Sequence, residues 1–474
     1  MDINEQDISR IVREVMRRLE NPPDSKDDRG EIPSSGILFD TMEEAIDTAV
    51  RAQEKFISLG LALRRKAVKA MRDAAGKQAE YLAKLAAEET GMGRWEDKVR
   101  KNLLAAEKTP GVEDVEPEVF TGDRGLTLVE RGPFGVIGAV TPSTNPTSTI
   151  INNSISIISA GNSVVYAPHP AAGRSSQESM RILTEALLSA GAPPGLITGM
   201  KNPSIEGAEV MFAHPATRLL IATGGPAVVR VIMKSGKKVI AAGPGNPPVV
   251  IDETADPVLA AESVISGASF DNGVLCTAEK EVLLSNNCRE GVLKAMRNSP
   301  EAHELTSGEM DRLASAAIKK GGRGVEPVLN RDFVGKDAAI IAGMLGISVS
   351  SKVRLLWGLV DVEHPYMWTE QLMPVLPFAE TGDIERSIDL AVEMEGGNGH
   401  TAVMHSQDVS RLTRMARKAG CSIFVKNGPS YMGLGMGEGF ATLSIATPTG
   451  DGLVSARHFT RPLRCVLVDN FRIT

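Results

Sequence analysis

Cys276 stands in the stretch FDNGVLCTAEK (residues 270–280), after a glycine and an apolar pair and ahead of a strand-like EVLLS. A thiol where an element ends can act as a covalent nucleophile, because at a pKa near 8.5 a few per cent of it (roughly) is thiolate at neutral pH. A free cysteine is also commonly a small buried hydrophobe, and the local sequence leaves both readings open. Asn145 lies in TPSTNPTS (residues 141–148), directly after the apolar run GVIGAV. Its amide suits a developing oxyanion, or alternatively a turn or helix cap. The turn Thr223-Gly224-Gly225 closes LLIATGG and leads into a helical pattern, so its backbone N–H groups could face a phosphate. No GxGxxG follows the first strand of this region and no GKS or GKT loop occurs. His400 is the only histidine in a glycine-rich turn, GGNGHTAVMH. Of the other cysteines, Cys421 and Cys465 sit in apolar runs and are expected in the core, while Cys288 falls in the polar turn NNCRE. No CxxC and no cysteine–histidine ligand spacing exists, so neither a metal site nor a disulfide framework is expected, and a reducing cytoplasmic setting fits.

The elements that must carry these residues are legible from periodicity. Residues 41–107 are strongly helical. EVFTGDRGLTLVER, within residues 117–131, alternates about a GDRG turn and reads as a hairpin. From residue 135 onward, strand-like runs (GVIGAV, SVVYAP, LITGM, LLIATGG, KVIAAG) alternate with helical ones, the pattern of a parallel sheet covered by helices. A second α/β cycle runs to residue 440, and RCVLVDNFRIT ends the chain as a strand. Residues 5–20 form an amphipathic helix with Ile8, Ile11, Val12, Val15, Met16 and Leu19 on one face, followed by the linker NPPDSKDDRGEIPSSG. The 474 residues carry 52 basic and 59 acidic side chains, a formal charge of −7, and only 4% aromatic residues, which disfavours nucleic acid and anionic membrane surfaces as partners. No run is long and apolar enough to span a bilayer, and the N-terminus lacks the apolar region of a secretory signal.

Six pieces in order, PFGVIGAVTPSTNP, GNSVVYAPHP, ATGGPAVV, NGVLCTAEK, TEQLMPVLPF and NGPS followed by PTGDG, together resemble the aldehyde dehydrogenase superfamily from about residue 37 onward. The resemblance implies an α/β fold with two Rossmann-like, doubly wound domains and a β-hairpin oligomerisation flap. It implies a cofactor-binding domain over 37–240 with the 117–131 hairpin, a catalytic domain over 241–440, and a C-terminal return and oligomerisation strand over 441–474. By the same resemblance Cys276 is the nucleophile and Asn145 the oxyanion amide. Thr141, Pro142, Ser143, Pro168, His169, Thr223, Gly224, Gly225 and Gly243 form the cofactor wall, and Glu370 holds the nicotinamide ribose.

The departures refine this expectation. Hydrolytic members carry an ELGGK-like segment whose glutamate activates water; here the stretch is AAGPGNPP (241–248), with Ala241 in place of that glutamate. Water, with a pKa near about 16, needs such a base, whereas a thiol does not. The second nucleophile is therefore expected to be coenzyme A, with NAD as oxidant. APHP and GGNGHTAVMH further resemble the CoA-acylating branch, in which His400 assists thiol exchange or orients its loop. The usual lysine before Pro168 is replaced by Ala167. Segments 1–20 (helix) and 21–36 (linker) resemble the encapsulation peptide of enzymes packed in bacterial microcompartments, which implies shell proteins as partners and the compartment lumen as location. A homodimer or homotetramer and a short aliphatic aldehyde, propionaldehyde or acetaldehyde, complete the expectation. The alternatives on the same fold are a hydrolytic aldehyde dehydrogenase and a glutamyl-phosphate reductase-like enzyme.

Overall fold

In the computed structural model, which describes residues 36–285 and 287–474, the chain divides into two compact units. The described residues up to Gln78, with Ala105–Ala242 and Val454–Thr474, form the first; Ala79–Leu104 and Gly243–Leu453 form the second. The segment 1–20 and all but the last residue of the linker 21–36 lie outside the described residues. Residues 79–104, placed by the sequence with the cofactor-binding part, group with the second unit, because Lys98 and Lys101 there pair with the carboxylate of Asp271. The tail groups with the first unit because Thr460–Val468 pairs along Gly125–Pro133.

Six parallel strands carry the first unit: β1 (Leu38–Phe39), β2 (Val136–Thr141), β3 (Ser163–Pro168), β4 (Ile197–Met200), β5 (Thr217–Thr223) and β6 (Lys238–Ala242), in the order β1-β4-β3-β2-β5-β6. The chain moves outward from β2 through β3 to β4, then returns to the other side of β2 for β5 and β6. The order therefore reverses between β2 and β5, the place where open α/β sheets hold ligands at their carboxyl edge. Local chemistry starts the helices that cover it. Met42–Ser58 begins with a capping box in which Thr41 and Glu44 bond reciprocally. Pro146–Ser159 begins with proline in its first turn and is buried on every side. Its polar residues survive burial by pairing: Ser154 bonds the Tyr166 hydroxyl at 2.8 Å and Asn152 donates to Thr109 Oγ1 at 2.8 Å.

The expected hairpin is formed by Glu118–Gly122 and Gly125–Pro133, and Thr460–Val468 adds antiparallel to the second of these strands. Gly125 has φ +110°, and a Cβ there would lie 2.0 Å from the Leu467 carbonyl oxygen, so the turn needs glycine. This three-stranded sheet corrects one expectation: Cys465 is exposed rather than in the core, because among the described residues no layer packs over its strand.

Seven parallel strands carry the second unit: β7 (Pro248–Ile251), β8 (Glu281–Ser285), β9 (Ala302–Glu304), β10 (Leu355–Leu359), β11 (Val375–Gly382), β12 (Thr401–His405) and β13 (Ile423–Lys426). Their order is β9-β10-β11-β8-β7-β12-β13. Val249, Val282, Leu284, Trp357, Leu376 and Phe378 lie in one buried cluster, with Trp357 and Phe378 edge to face at 5.3 Å. The consequence for function is that β11, β8, β7 and β12 are neighbours. Segments far apart in sequence thus enter the sheet side by side.

Candidate active site

In the second unit the four segments preceding those neighbouring strands converge: Gly243–Pro247 before β7, Cys276–Lys280 before β8, Glu370–Pro374 before β11 and His400 before β12. The contacts are tight. A Cβ on Gly245 would lie 2.6 Å from the Cys276 carbonyl oxygen and 3.0 Å from His400 Cγ, so only glycine fits. The Gly245 N–H donates to Glu370 Oε1 at 3.4 Å. A Cβ on Gly243 would lie 2.9 Å from Pro448 Cγ, which brings the PTGDG segment against the same turn. Cys276, Glu370, His400 and Gly243 are thereby gathered at the amino ends of these strands.

The loop carrying Cys276 is unusual in its backbone. Asp271, Asn272 and Gly273 have φ of 49°, 54° and 69°, three left-handed residues in a row. Each of the two non-glycine residues costs on the order of 1–2 kcal/mol in this region. Their side chains offset it. Asp271 accepts from the Arg94 N–H at 2.7 Å, from Lys98 Nζ at 3.0 Å and from Lys101 Nζ. Asn272 donates to the Gly335 carbonyl at 2.9 Å and to Asp337 Oδ1 at 3.0 Å. Gly273 is required by packing, since a Cβ would meet the Met373 carbonyl oxygen at 2.7 Å.

Cys276 itself is partly exposed and packs against a buried cluster that includes Leu104, Phe270, Leu275, Ala278 and Ile423. Burial, and then the Glu370 carboxylate, push its thiol up to about 12, while Lys280 and Lys101 act the other way. Glu370 is lifted to about 7 by burial, opposed by Lys280 and the Gly245 N–H. His400 is buried, its Nδ1 is 2.9 Å from Thr401 Oγ1, and its Nε2 has no partner among the described residues. Burial, then Lys280, depress it to about 4, so it is a neutral imidazole at pH 7. Its turn is held by Glu395, which accepts from the Gly399 N–H at 3.0 Å and the His400 N–H at 2.7 Å. Behind the loop Glu279 accepts from the Ser430 N–H and hydroxyl, both at 2.8 Å, and burial raises it to about 7.

The first unit holds the remaining sequence-predicted residues. Thr141 and Thr223 end the adjacent strands β2 and β5, and Pro168 ends β3, paired with Thr141. These ends flank the reversal of strand order. Thr141 is buried and its Oγ1 is unpartnered among the described residues. Gly224 and Gly225 lead into the helix Pro226–Met233, whose first turn no side chain caps, with open space around Gly225. An unpartnered buried hydroxyl and an uncapped helix start at a switch point fit a dinucleotide. Pro142 and Ser143 follow Thr141 and are half-buried. His169 caps the short turn Pro170–Ala172, its Nδ1 accepting from the Ala171 N–H at 3.1 Å. Asn145 precedes the buried helix Pro146–Ser159 as its N-cap residue, yet its side chain does not cap; its amide donates to Thr144 Oγ1 at 3.2 Å. Ala241 lies fully buried in β6.

Sequence reasoning missed Gly245, Asp271 and Lys280. Gly245 was signalled by PGNPP, a turn between prolines. Asp271 carries no local signal because its partners Arg94, Lys98 and Lys101 are distant in sequence, and Lys280 carries none because its ammonium bonds backbone carbonyls, which every loop offers. Among the described residues no cluster of histidine, cysteine or acidic side chains could hold a metal ion, and no helix is long and apolar enough to cross a membrane.

Residues 37–436 match the aldehyde dehydrogenase family, and the chain belongs to that family. It is 45% identical over 473 residues, 99% of this chain and 100% of the relative, to acetaldehyde dehydrogenase (acetylating) EutE of Salmonella typhimurium. It is similar to propionaldehyde dehydrogenase of Rhodopseudomonas palustris, solved with bound CoA and an acylated cysteine, at 44% identity and a TM-score of 0.89, covering 92% of this chain and 99% of that one. It is also similar to a propionaldehyde dehydrogenase from the Clostridium phytofermentans fucose utilisation bacterial microcompartment, at 42% identity and a TM-score of 0.89, covering 92% and 99%.

Proposed function

We propose that the protein oxidises a short aliphatic aldehyde, acetaldehyde or propionaldehyde, with NAD and passes the acyl group to coenzyme A. The observation that carries this reading is Ala241, a buried methyl that, on the family resemblance, stands where hydrolytic members would carry the carboxylate that activates water. In this reading Cys276 Sγ adds to the aldehyde carbonyl and Asn145, whose amide is not used for capping, takes the oxyanion role. Bound NAD supplies the hydride acceptor. Thr141, Pro142, Ser143, Pro168, His169, Thr223, Gly224, Gly225 and Gly243 form its wall, and Glu370 takes the ribose. The acyl group then sits on Sγ as a thioester. The coenzyme A sulfur attacks its carbonyl, the new C–S bond forms as Cys276 Sγ leaves, and the proton of the coenzyme thiol goes to His400 Nε2. One thioester replaces another, so the exchange is close to neutral in energy and the reaction is reversible.

Purified protein with propionaldehyde and NAD, with and without coenzyme A, tests this. NADH formation that requires coenzyme A and is lost in Cys276→Ala is the expected result; sustained turnover without coenzyme A overturns it.

The three-stranded sheet supports a homodimer or homotetramer, because its outer strands expose Val119, Phe120, Val466 and Val468. Residues 1–20 are assigned to docking on microcompartment shell proteins and the enzyme to the compartment lumen. Deletion of residues 1–20 is expected to leave turnover intact and to abolish co-sedimentation with shells; equal co-sedimentation refutes this.

A further inference from the structure

Lys280 is buried, 1% exposed, and every polar group it owns reaches a different part of the candidate site. Its N–H donates to the Pro247 carbonyl at 3.0 Å, at the end of the turn containing Gly245. Its carbonyl accepts from Gln371 Nε2 at 2.8 Å, and Gln371 is the residue after Glu370. Its ammonium donates to the Gly273 carbonyl at 2.8 Å and to the Leu275 carbonyl at 3.3 Å. Gly273 is the last residue of the left-handed run, and Leu275 is bonded directly to Cys276. One residue thus joins the 243–247 and 370–371 segments through its backbone and holds the 273–275 carbonyls through its side chain.

We propose that Lys280 is the positioning residue of the nucleophile: it clamps the carbonyls that fix the Cys276 loop and supplies the fixed positive charge opposite the thiolate. This rests on the reading of Cys276 as nucleophile. The charge has work to do because its surroundings are acidic. The titratable groups facing Lys280 are Cys276, Glu279, Glu281 and Glu370, with His400 as a further neighbour. The Cys276 thiol is pushed up by the Glu370 charge and drawn down by those of Lys280 and Lys101. Glu281 has one buried carboxyl oxygen without a partner among the described residues, its other oxygen accepting from Asn246 Nδ2 at 3.3 Å. Lys101 is already paired with Asp271. Among the described residues the Lys280 ammonium bonds only carbonyl oxygens, so no carboxylate is paired with it; burial lowers its pKa, opposed by Glu370 and Cys276. The same charge also favours a neutral His400, which is the form able to take a proton from the coenzyme thiol.

The test is alkylation of Cys276 by iodoacetamide between pH 6 and 10 on the full chain, followed by peptide mapping, in wild type, Lys280→Met and Lys280→Arg. Lys280→Met is expected to slow labelling about tenfold or more at each pH in this range, all of which lies below the thiol pKa, as the thiolate fraction falls about tenfold when that pKa rises by about one. kcat is expected to fall in parallel and KM for NAD to stay within about threefold. Lys280→Arg, which retains the charge, is expected to recover most of the labelling. A folded Lys280→Met that labels like wild type at every pH, or an arginine variant no better than methionine, overturns the proposal. If Lys280→Met does not fold, Lys280→Gln, which keeps a donor without the charge, is judged by the same criterion. Labelling reads the thiol without aldehyde, coenzyme or turnover. Retained CoA-dependent turnover in Cys276→Ala would instead remove the underlying reading, whatever the lysine variants do.

Discussion

Gly245→Ala adds one methyl at the point where three segments of the candidate site meet. Gly245 does not have a positive φ, so alanine meets no backbone penalty there, and the effect isolates close approach. The new Cβ would sit 2.6 Å from the Cys276 carbonyl oxygen and 3.0 Å from His400 Cγ and Nδ1. Relief to ordinary van der Waals separation requires the Cys276 backbone and the 243–247 turn to part by roughly 0.8–1 Å. Overpacking of this kind destabilises by about 1–3 kcal/mol, a fall of roughly 2–12 °C in Tm for a unit of this size. The catalytic effect is expected to be larger, because a misplacement near 1 Å costs about 10²-fold in rate. Steady-state NADH formation at saturating aldehyde, NAD and coenzyme A reads kcat, and calorimetry reads Tm. Gly308→Ala is the control: it lies in the helix Ser307–Ala317 with nothing within 4 Å of its Cβ position, and neither quantity should fall. A Gly245→Ala protein with wild-type kcat would show that this backbone contact does not set the position of the thiol.

Three further outcomes follow from the same geometry. Asp271→Ala leaves Lys98 and Lys101 buried without their carboxylate, and a loss of about 3–5 kcal/mol is expected; an unchanged Tm would refute the pairing as a structural element. Glu279 is raised to about 7 in the fold against an ordinary 4.5, so its contribution is full below pH 4.5 and is lost as pH rises through 7. The Tm of Glu279→Gln relative to wild type should therefore be higher at pH 8 than at pH 5, and a pH-independent difference refutes this. His400→Ala should preserve a burst of NADH near one per site while lowering the steady rate by about 10²–10⁴-fold; loss of the burst by the same factor would move His400 to the oxidative step.

The strands, the hairpin and the helical lead-in were legible because each is a local pattern: GVIGAV and SVVYAP are apolar runs between turns, and GDRG sits between alternating segments. Cys465 was misread for the converse reason, since CVLV has the composition of a core strand but belongs to a sheet that no other described residues cover. Cys276 was visible as a thiol in a turn, yet not as a thiol with a high pKa, because that depends on Glu370, Lys280 and Lys101, at distances in sequence from 4 to 175 residues. The grouping of residues 79–104 with the second unit was equally invisible: nothing in a helical stretch announces that its lysines are paired with Asp271.

The two sheets present their chemistry at opposite ends of their strands, and the electrostatics differ accordingly. In the first unit Thr141, Pro168 and Thr223 close the carboxyl ends, where the helix Pro226–Met233 begins and its partial positive charge suits a pyrophosphate. In the second unit the segments enter at the amino ends, where helices finish: Pro257–Ser269 stops just before Asp271, and Ile384–Met394 stops before the His400 turn. Helix C-termini carry partial negative charge and oppose a thiolate, in the same direction as burial and Glu370. An anionic nucleophile at that edge therefore needs compensating cations inside the protein. Lys280, on the carbonyls of the Cys276 loop, occupies a place where such charge is required, and Lys101, though paired with Asp271, acts in the same direction. The burial of Lys280 is thus explained by the end of the sheet at which the thiol was placed, and removing its charge should be felt first in the ionisation of Cys276 and only then in stability.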